Sequence, residues 1–320
     1  LGFAFAKASA FCKAFLLSNE NVICTICRHE IPLTNHHLNT ENEAIKKFYG
    51  KTIVIKYGGS AQTSDDLKEK FAQDIVLLTL LGIKPIVVHG GGARITELLT
   101  KLEIPSHFVD GYRVTCKESM RVVEMVLSGE INKNLASLLN HHGAKAIGIS
   151  GKAVPKDGGK FGYTGDITSV NGELINNLIK DGFIPVIAPI ANGDEPNHPG
   201  YNINADVAAC EIAMAVKAQK VIFLTDTVGV LNKSGELIQT LDKANVEMFK
   251  KDGTIAGGMI PKVDSCIEAI HNGVNKAHII DGRVEHSILL ELFTSDGIGT
   301  QFIRVDNPNN GIDIEKLLNS

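Results

Sequence analysis

Three β-branched residues that run straight into a lysine and two glycines, Ile53-Val54-Ile55-Lys56-Tyr57-Gly58-Gly59-Ser60, constrain this chain more than any other stretch. A continuous apolar run of this length reads as a strand buried on both faces. Such strands belong to parallel sheets with helices packed above and below. In open α/β sheets the ligand crevice lies at the carboxyl ends of the strands, where Lys56 emerges. Gly58 and Gly59 carry no Cβ, so their backbone N–H groups can approach phosphate oxygens closely. Taken alone, the stretch reads either as a phosphate-handling turn or as a plain glycine turn beside a solvated lysine.

The chain after it alternates in the same manner. Residues 65–81 have helical apolar spacing, with Asp65 and Asp66 at the start and Gly82 at the stop. Residues 84–89 form a second buried strand that runs into Gly90-Gly91-Gly92 and a helix over 94–102. Free N–H groups and the positive end of the helix dipole favour an anion there. The pattern is neither GxGxxG nor a P-loop, so no dinucleotide fold is implied. Further strands are expected at 146–149, 183–188, 221–224, 277–281 and 297–304, with helices over 117–142 and from 202–206 to about 218. Alternating residues around Asn171-Gly172 predict a hairpin over 165–174, a flap beside the site. This alternation predicts an α/β fold, a three-layer αβα sandwich with a mostly parallel central sheet.

Several polar groups stand where such a sheet would bind a ligand. Arg113, in Asp110-Gly111-Tyr112-Arg113-Val114-Thr115, offers a planar guanidinium for a carboxylate or phosphate. Asn202, Asn204 and Asp206 crowd the start of one helix, where they can grip a polar ligand and hold basic groups. The strand ending in Thr225-Asp226 could receive a nucleotide, and Gly257-Gly258-Met259-Ile260-Pro261-Lys262 sets a second lysine at a helix head.

Composition removes other classes. With 320 residues, 44% hydrophobic and 21% charged, the chain has ample length for a core. A net charge of −4 lacks the basic face of nucleic-acid binders. No apolar run reaches the ~18 residues of a membrane helix. Six scattered cysteines suit reduced thiols rather than a disulfide framework. Cys24, Cys27 and His29 resemble half a zinc site, without the second pair that would complete it.

Six motifs in order, IVIKYGGS, VHGGG, DGYRVT, NINAD, LTD and GGMIPK, carry a close resemblance over about residues 50–304 to the amino acid kinase family. Within it, the chain resembles the members that phosphorylate the side-chain carboxylate of N-acetyl-L-glutamate with ATP and Mg²⁺, in arginine synthesis. The resemblance implies that Lys56 and Lys262 neutralise the phosphoryl group in transfer while Asp206 orients both. It assigns Gly91, Gly92, Arg113, Asn202 and Asn204 to the acetylglutamate site. It assigns Gly58, Gly59, Thr225, Asp226, Gly257, Gly258, Met259 and Lys262 to the nucleotide, with no metal ligand from the protein. An acetylglutamate-binding lobe is expected over about 50–200 and a nucleotide-binding lobe over about 201–304. Ala93 stands where the family usually has proline, and Ala153-Val154-Pro155 departs from the usual run. Alternatives are a kinase of this fold with another acidic substrate, or a non-catalytic arginine-sensing domain.

A second layer of the resemblance concerns regulation. Lys220, His278, Glu291 and Gly297 resemble an arginine effector pocket, and residues 41–48 resemble the end of an N-terminal helix that joins dimers into a hexamer, a trimer of dimers. Residues 1–40 read as a leader or flexible arm, and 305–320 as a tail. Within the first 19 residues lie Lys7, Lys13 and no acidic residue, a mixture that suits an organelle address. A plastid (chloroplast) is expected, with mitochondrion or cytoplasm as alternatives. A plastid setting adds the signal protein PII as a partner.

Overall fold

The computed structural model describes residues 45–305, apart from 63, 110, 194–197, 295 and 296. The expected leader with Cys24, Cys27 and His29, and the tail from 306, lie outside the described residues.

β1 (Thr52–Tyr57) is central, flanked in parallel by β2 (Lys84–His89) and β9 (Lys220–Thr225). The other strands of the main sheet are β5 (Ala146–Pro155), β6 (Gly165–Ile167), β7 (Ile184–Asn192), β8 (Tyr201–Asn202), β10 (Thr240–Leu241), β11 (Lys276–Asp281) and β12 (Thr300–Ile303). They make a ten-stranded sheet in the order β10-β12-β11-β9-β1-β2-β7-β5-β6, with β8 added on β7. Pairing is parallel except at β11–β12, β5–β6 and β7–β8. A separate two-stranded hairpin joins β3 (His107–Val109) to β4 (Tyr112–Val114).

The pleat of β1 decides the layers. Ile53, Ile55 and Tyr57 face a core built with α1 (Asp65–Leu80), α4 (Asn132–His141) and α9 (Ser287–Phe293). Val54 faces the opposite core, built with α5 (Gly172–Lys180), α6 (Ala205–Ala215), α7 (Lys243–Lys251) and α8 (Met259–His271). Successive side chains alternate between faces, so Lys56 shares the face of Val54 and points toward α6. The expected three-layer sandwich is therefore present. A smaller core lies between α2 (Gly92–Lys101) and α3 (Lys117–Glu124).

Local chemistry fixes the helix ends. Ser64 caps α1 by accepting from Leu67 N at 3.4 Å, and Asp65 and Asp66 sit in its first turn against the dipole. Gly82 then takes φ +79°, a left-handed conformation that ends the helix. The segment over 117–142 departs from simple helix, because Met125–Ile131 is a π-helix between α3 and α4. Leu127 and Ile131, both within it, lie against Gly91, where a Cβ would stand 2.5 Å and 2.6 Å from their methyl carbons.

The predicted hairpin at Asn171-Gly172 is not formed. Asn171 is the N-cap of α5, its Oδ1 accepting from Leu174 N at 3.0 Å. The buried Ile175 and Ile179, four apart, give the segment a helical stripe that overrides the turn signal. The antiparallel pair in this region is β5–β6, closed by residues 156–164. The described cysteines, Cys116, Cys210 and Cys266, are free thiols.

Candidate active site

A cleft of about 220 Å³ opens at the carboxyl ends of β1 and β2, lined by both glycine turns, Lys56, Arg113, Asn202 and Asp206 among others. Lys56 Nζ stands 2.8 Å from Asp206 Oδ1, and Lys262 Nζ stands 3.1 Å from Asp206 Oδ2. The three side chains come from β1, α6 and α8, and one carboxylate holds both ammonium groups. Burial alone would raise the Asp206 carboxyl, but the charges and hydrogen bonds of Lys56 and Lys262 outweigh it and hold it at about 2. It is ionised at every pH at which the protein would work.

The glycines here serve different ends. A Cβ on Gly58 would lie 2.8 Å from Lys56 Nζ, so the ammonium occupies the space a side chain would take. Gly59 has φ +64° and packs beside Asp226, whose N would be 3.9 Å from an added Cβ. Gly91 and Gly92 open α2, and their N–H groups belong to the unsatisfied first turn of that helix.

Arg113 is buried in the cleft wall. Its Nη1 donates to Ser106 Oγ at 2.5 Å, and its Nη2 to Thr96 Oγ1 at 2.8 Å and Gly92 O at 3.2 Å. Phe108 covers the guanidinium, 4.6 Å from its ring centroid. Burial lowers the pKa of Arg113, and an arginine nonetheless keeps its charge. Asn202 Nδ2 donates to Thr115 Oγ1 at 3.3 Å, which fixes that amide beside Arg113. Asn204 lines the cleft, but its Oδ1 caps α6 by accepting from Asp206 N at 2.8 Å and Val207 N at 3.2 Å.

On the nucleotide side, Thr225 ends β9 and is buried, its hydroxyl bonded within the turn to Thr227. Gly257 and Gly258 lead into α8, where Met259 is the first residue and Lys262 lies in the first turn. These residues do not line the 220 Å³ cleft; they meet it through Gly59–Asp226 and Lys262–Asp206. A second set gathers elsewhere on the sheet. His278 Nδ1 lies 2.5 Å from Glu291 Oε1, and Glu291 Oε2 accepts from Ile298 N at 2.8 Å. Gly297 abuts the same carboxylate, and Lys220 Nζ sits 5.0 Å from the centre of the Phe48 ring.

Phe108, Thr164 and Gln62 took no part in the motif reading. Thr164 lines the cleft and donates to Arg113 O at 2.5 Å. Gln62 spans the two glycine turns from behind, donating to Tyr57 O and Gly90 O. None of the three lies in a patterned run of sequence.

Comparison with known proteins gives the family. The amino acid kinase family model matches residues 51–281. A protein of Aliarcobacter butzleri (strain RM4018) named acetylglutamate kinase is 91% identical over 295 residues, covering 89% of this chain and 98% of its own. One of the same name from Wolinella succinogenes is 64% identical over 266 residues, covering 81% of this chain and 94% of its own. In three dimensions, the N-acetylglutamate synthase of Neisseria gonorrhoeae in complex with coenzyme A and N-acetylglutamate superposes with a TM-score of 0.78 at 24% identity. That match covers 85% of this chain and 64% of the synthase chain, and it speaks to the fold. Both named kinases are bacterial, which overturns the plastid address expected from the first residues. The expectation of a PII partner rested on that address and falls with it. The chain is a kinase, and it belongs to the amino acid kinase family.

Proposed function

We propose that this kinase transfers the γ-phosphoryl group of ATP to the side-chain carboxylate of N-acetyl-L-glutamate. A carboxylate oxygen attacks the γ-phosphorus, the bond from that phosphorus to the bridging β–γ oxygen breaks, and ADP leaves with its electrons. The products are an acyl phosphate and ADP. The observation that carries the reading is the single carboxylate, Asp206, shared by two lysines from opposite ends of the sequence.

The chemistry needs little more than charge and position. An acceptor carboxylate is ionised at neutral pH, so no general base is required. The obstacle is bringing two anions together through a loose transition state, and preorganised positive groups lower it. Lys56 and Lys262 supply the charge, and Asp206 holds them in one place. Gly58 and Gly59 present N–H groups to the transferring phosphate. Arg113 and Asn202 orient the acetylated amino acid, with Gly91 and Gly92 at its anionic end. Asn204, which caps α6, serves the acceptor site by setting that helix. Mg²⁺ bound with ATP supplies further neutralisation of phosphate charge. Thr225, Asp226 and residues 257–259 form the nucleotide side, within an inferred lobe of about 201–304.

Trapping the acyl phosphate with hydroxylamine tests this directly. Hydroxamate should form with ATP, Mg²⁺ and N-acetyl-L-glutamate, and not with free glutamate in its place. The reverse preference would move the chain to another substrate within the family. No turnover, with arginine still bound, would make it a sensor.

We also infer inhibition by arginine. Glu291, buried beside His278 and Gly297, supplies a carboxylate that a guanidinium could pair with, and Lys220 lies nearby over Phe48. A hexamer formed through the N-terminal segment belongs to the same reading. Activity unaffected by millimolar arginine would sink it.

A further inference from the structure

The two anion-binding turns must be aimed as well as present, and one unassigned side chain touches both. Gln62 Nε2 lies 3.0 Å from Tyr57 O and 3.2 Å from Gly90 O. Both partners are carbonyl oxygens, which only accept, so the Gln62 NH₂ must face them. Gly90 N in turn donates to Tyr57 O at 2.8 Å, tying the two strand ends together. His89 adds a second donor to the same carbonyl, with Nδ1 3.1 Å from Gly90 O. Its tautomer is fixed from the other side, because Asn132 Nδ2 lies 3.1 Å from His89 Nε2 and also donates to Val186 O at 2.9 Å. Burial holds the pKa of His89 down to about 4, so the ring stays neutral and keeps one donor and one acceptor.

A trans peptide unit is planar, with C=O and N–H pointing in opposite directions. The carbonyl of Tyr57 shares its plane with the N–H of Gly58, and that of Gly90 with the N–H of Gly91. Holding both carbonyls toward Gln62 turns both N–H groups away from it. Gln62 borders a neighbouring hollow, Gly58 lines the cleft that contains Lys56 and Arg113, and Gly91 stands between the two and lines both.

We propose that Gln62 is a positioning residue that locks the 57–58 and 90–91 peptide planes, so that one N–H meets the transferring phosphate and the other the acceptor carboxylate. The inference rests on the phosphotransfer reading of this cleft. A lock of this kind sets the relative aim of two donors on different strands, which neither strand can do alone. Its effect should fall on the transition state, where donor direction matters most, and less on ground-state binding.

The test uses Gln62→Leu and Gln62→Glu in the full chain. Leucine removes the donors, and glutamate keeps the shape but faces two carbonyl oxygens with a carboxylate. The lock predicts a kcat about tenfold to a hundredfold lower in Gln62→Leu and lower still in Gln62→Glu, with KM for ATP within a few-fold. If Gln62 only fills space, the isosteric glutamate should be the milder change, and that order would overturn the proposal. A second measurement needs no turnover. In ¹⁵N-glycine-labelled protein, the Gly58 and Gly91 amide resonances should broaden or double in Gln62→Leu, and unchanged resonances would overturn the lock. If the native chain made no hydroxamate the phosphotransfer reading would fail, while the glycine resonances would still decide whether Gln62 holds the turns.

Discussion

At the scale of single residues, the site is a problem in aiming charge. Asp206 gives each oxygen to a different lysine, so losing it frees both. Asp206→Asn should leave an overall fold but lower kcat by a hundredfold or more, because the amide cannot pair with two ammonium groups. Steady-state kinetics with both substrates checks this. His89 carries a pH prediction. Its pKa is lowered by burial from the ordinary 6.5 to about 4, so the folded state resists a proton that the unfolded chain accepts. The contribution is complete above pH 6.5 and is lost as pH falls toward 4, an effect of about 3 kcal/mol. Asp74, raised by burial to about 6 against the pull of His286, acts in the opposite sense over that range. Urea unfolding of the native chain and of His89→Gln from pH 7 to 4 therefore isolates the term by difference. Equal pH slopes in both proteins would count against it.

At the scale of elements, one buried contact ties the first helix to the last. His286 Nδ1 lies 2.6 Å from Asp74 Oδ1, both side chains nearly inaccessible, joining α1 to the start of α9. His286 adopts φ +56°, a left-handed conformation uncommon for a residue with a Cβ. Removing one partner leaves the other's buried hydrogen bond unmade, so Asp74→Ala should destabilise by about 1–3 kcal/mol. Thermal or urea unfolding reads it directly, and a loss below about 1 kcal/mol would show that the pair is replaceable.

Elements also show what could be read from sequence. The strands at 53–57 and 84–89 were legible because burial on both faces writes an unbroken apolar run. Lys56, Arg113, Asp206 and Lys262 were legible through the short motifs that contain them. Asn171-Gly172 misled, since asparagine serves a tight hairpin and a helix N-cap by the same side-chain acceptor. Helical spacing in the residues after it decided the outcome. Gln62 was invisible because its role depends on carbonyl directions on two separate strands. The π-helix at Met125–Ile131 was hidden too: Gly129 lies within it, yet an isolated glycine does not announce an added residue per turn.

At the scale of the whole molecule, the sheet separates the cleft from the inferred effector site. Lys56 leaves the carboxyl end of β1, while Lys220 begins β9, whose residues pair with β1 from Ile53 onward. The inferred effector pocket therefore lies at the amino end of the strands that carry the site. If arginine binds there, it should raise the melting temperature and lower activity together, and Glu291→Gln should abolish both effects. A thermal shift without inhibition would locate arginine at a site uncoupled from the cleft.

If two ammonium groups act on one phosphate in flight, Lys56→Ala should lose transfer rather than nucleotide binding. Its kcat and its affinity for ATP should be measured side by side. The expected result is a kcat at least about a hundredfold lower, with nucleotide affinity changed less than about tenfold. Equal losses in both would contradict it, and would make Lys56 a nucleotide anchor rather than a stabiliser of the transfer.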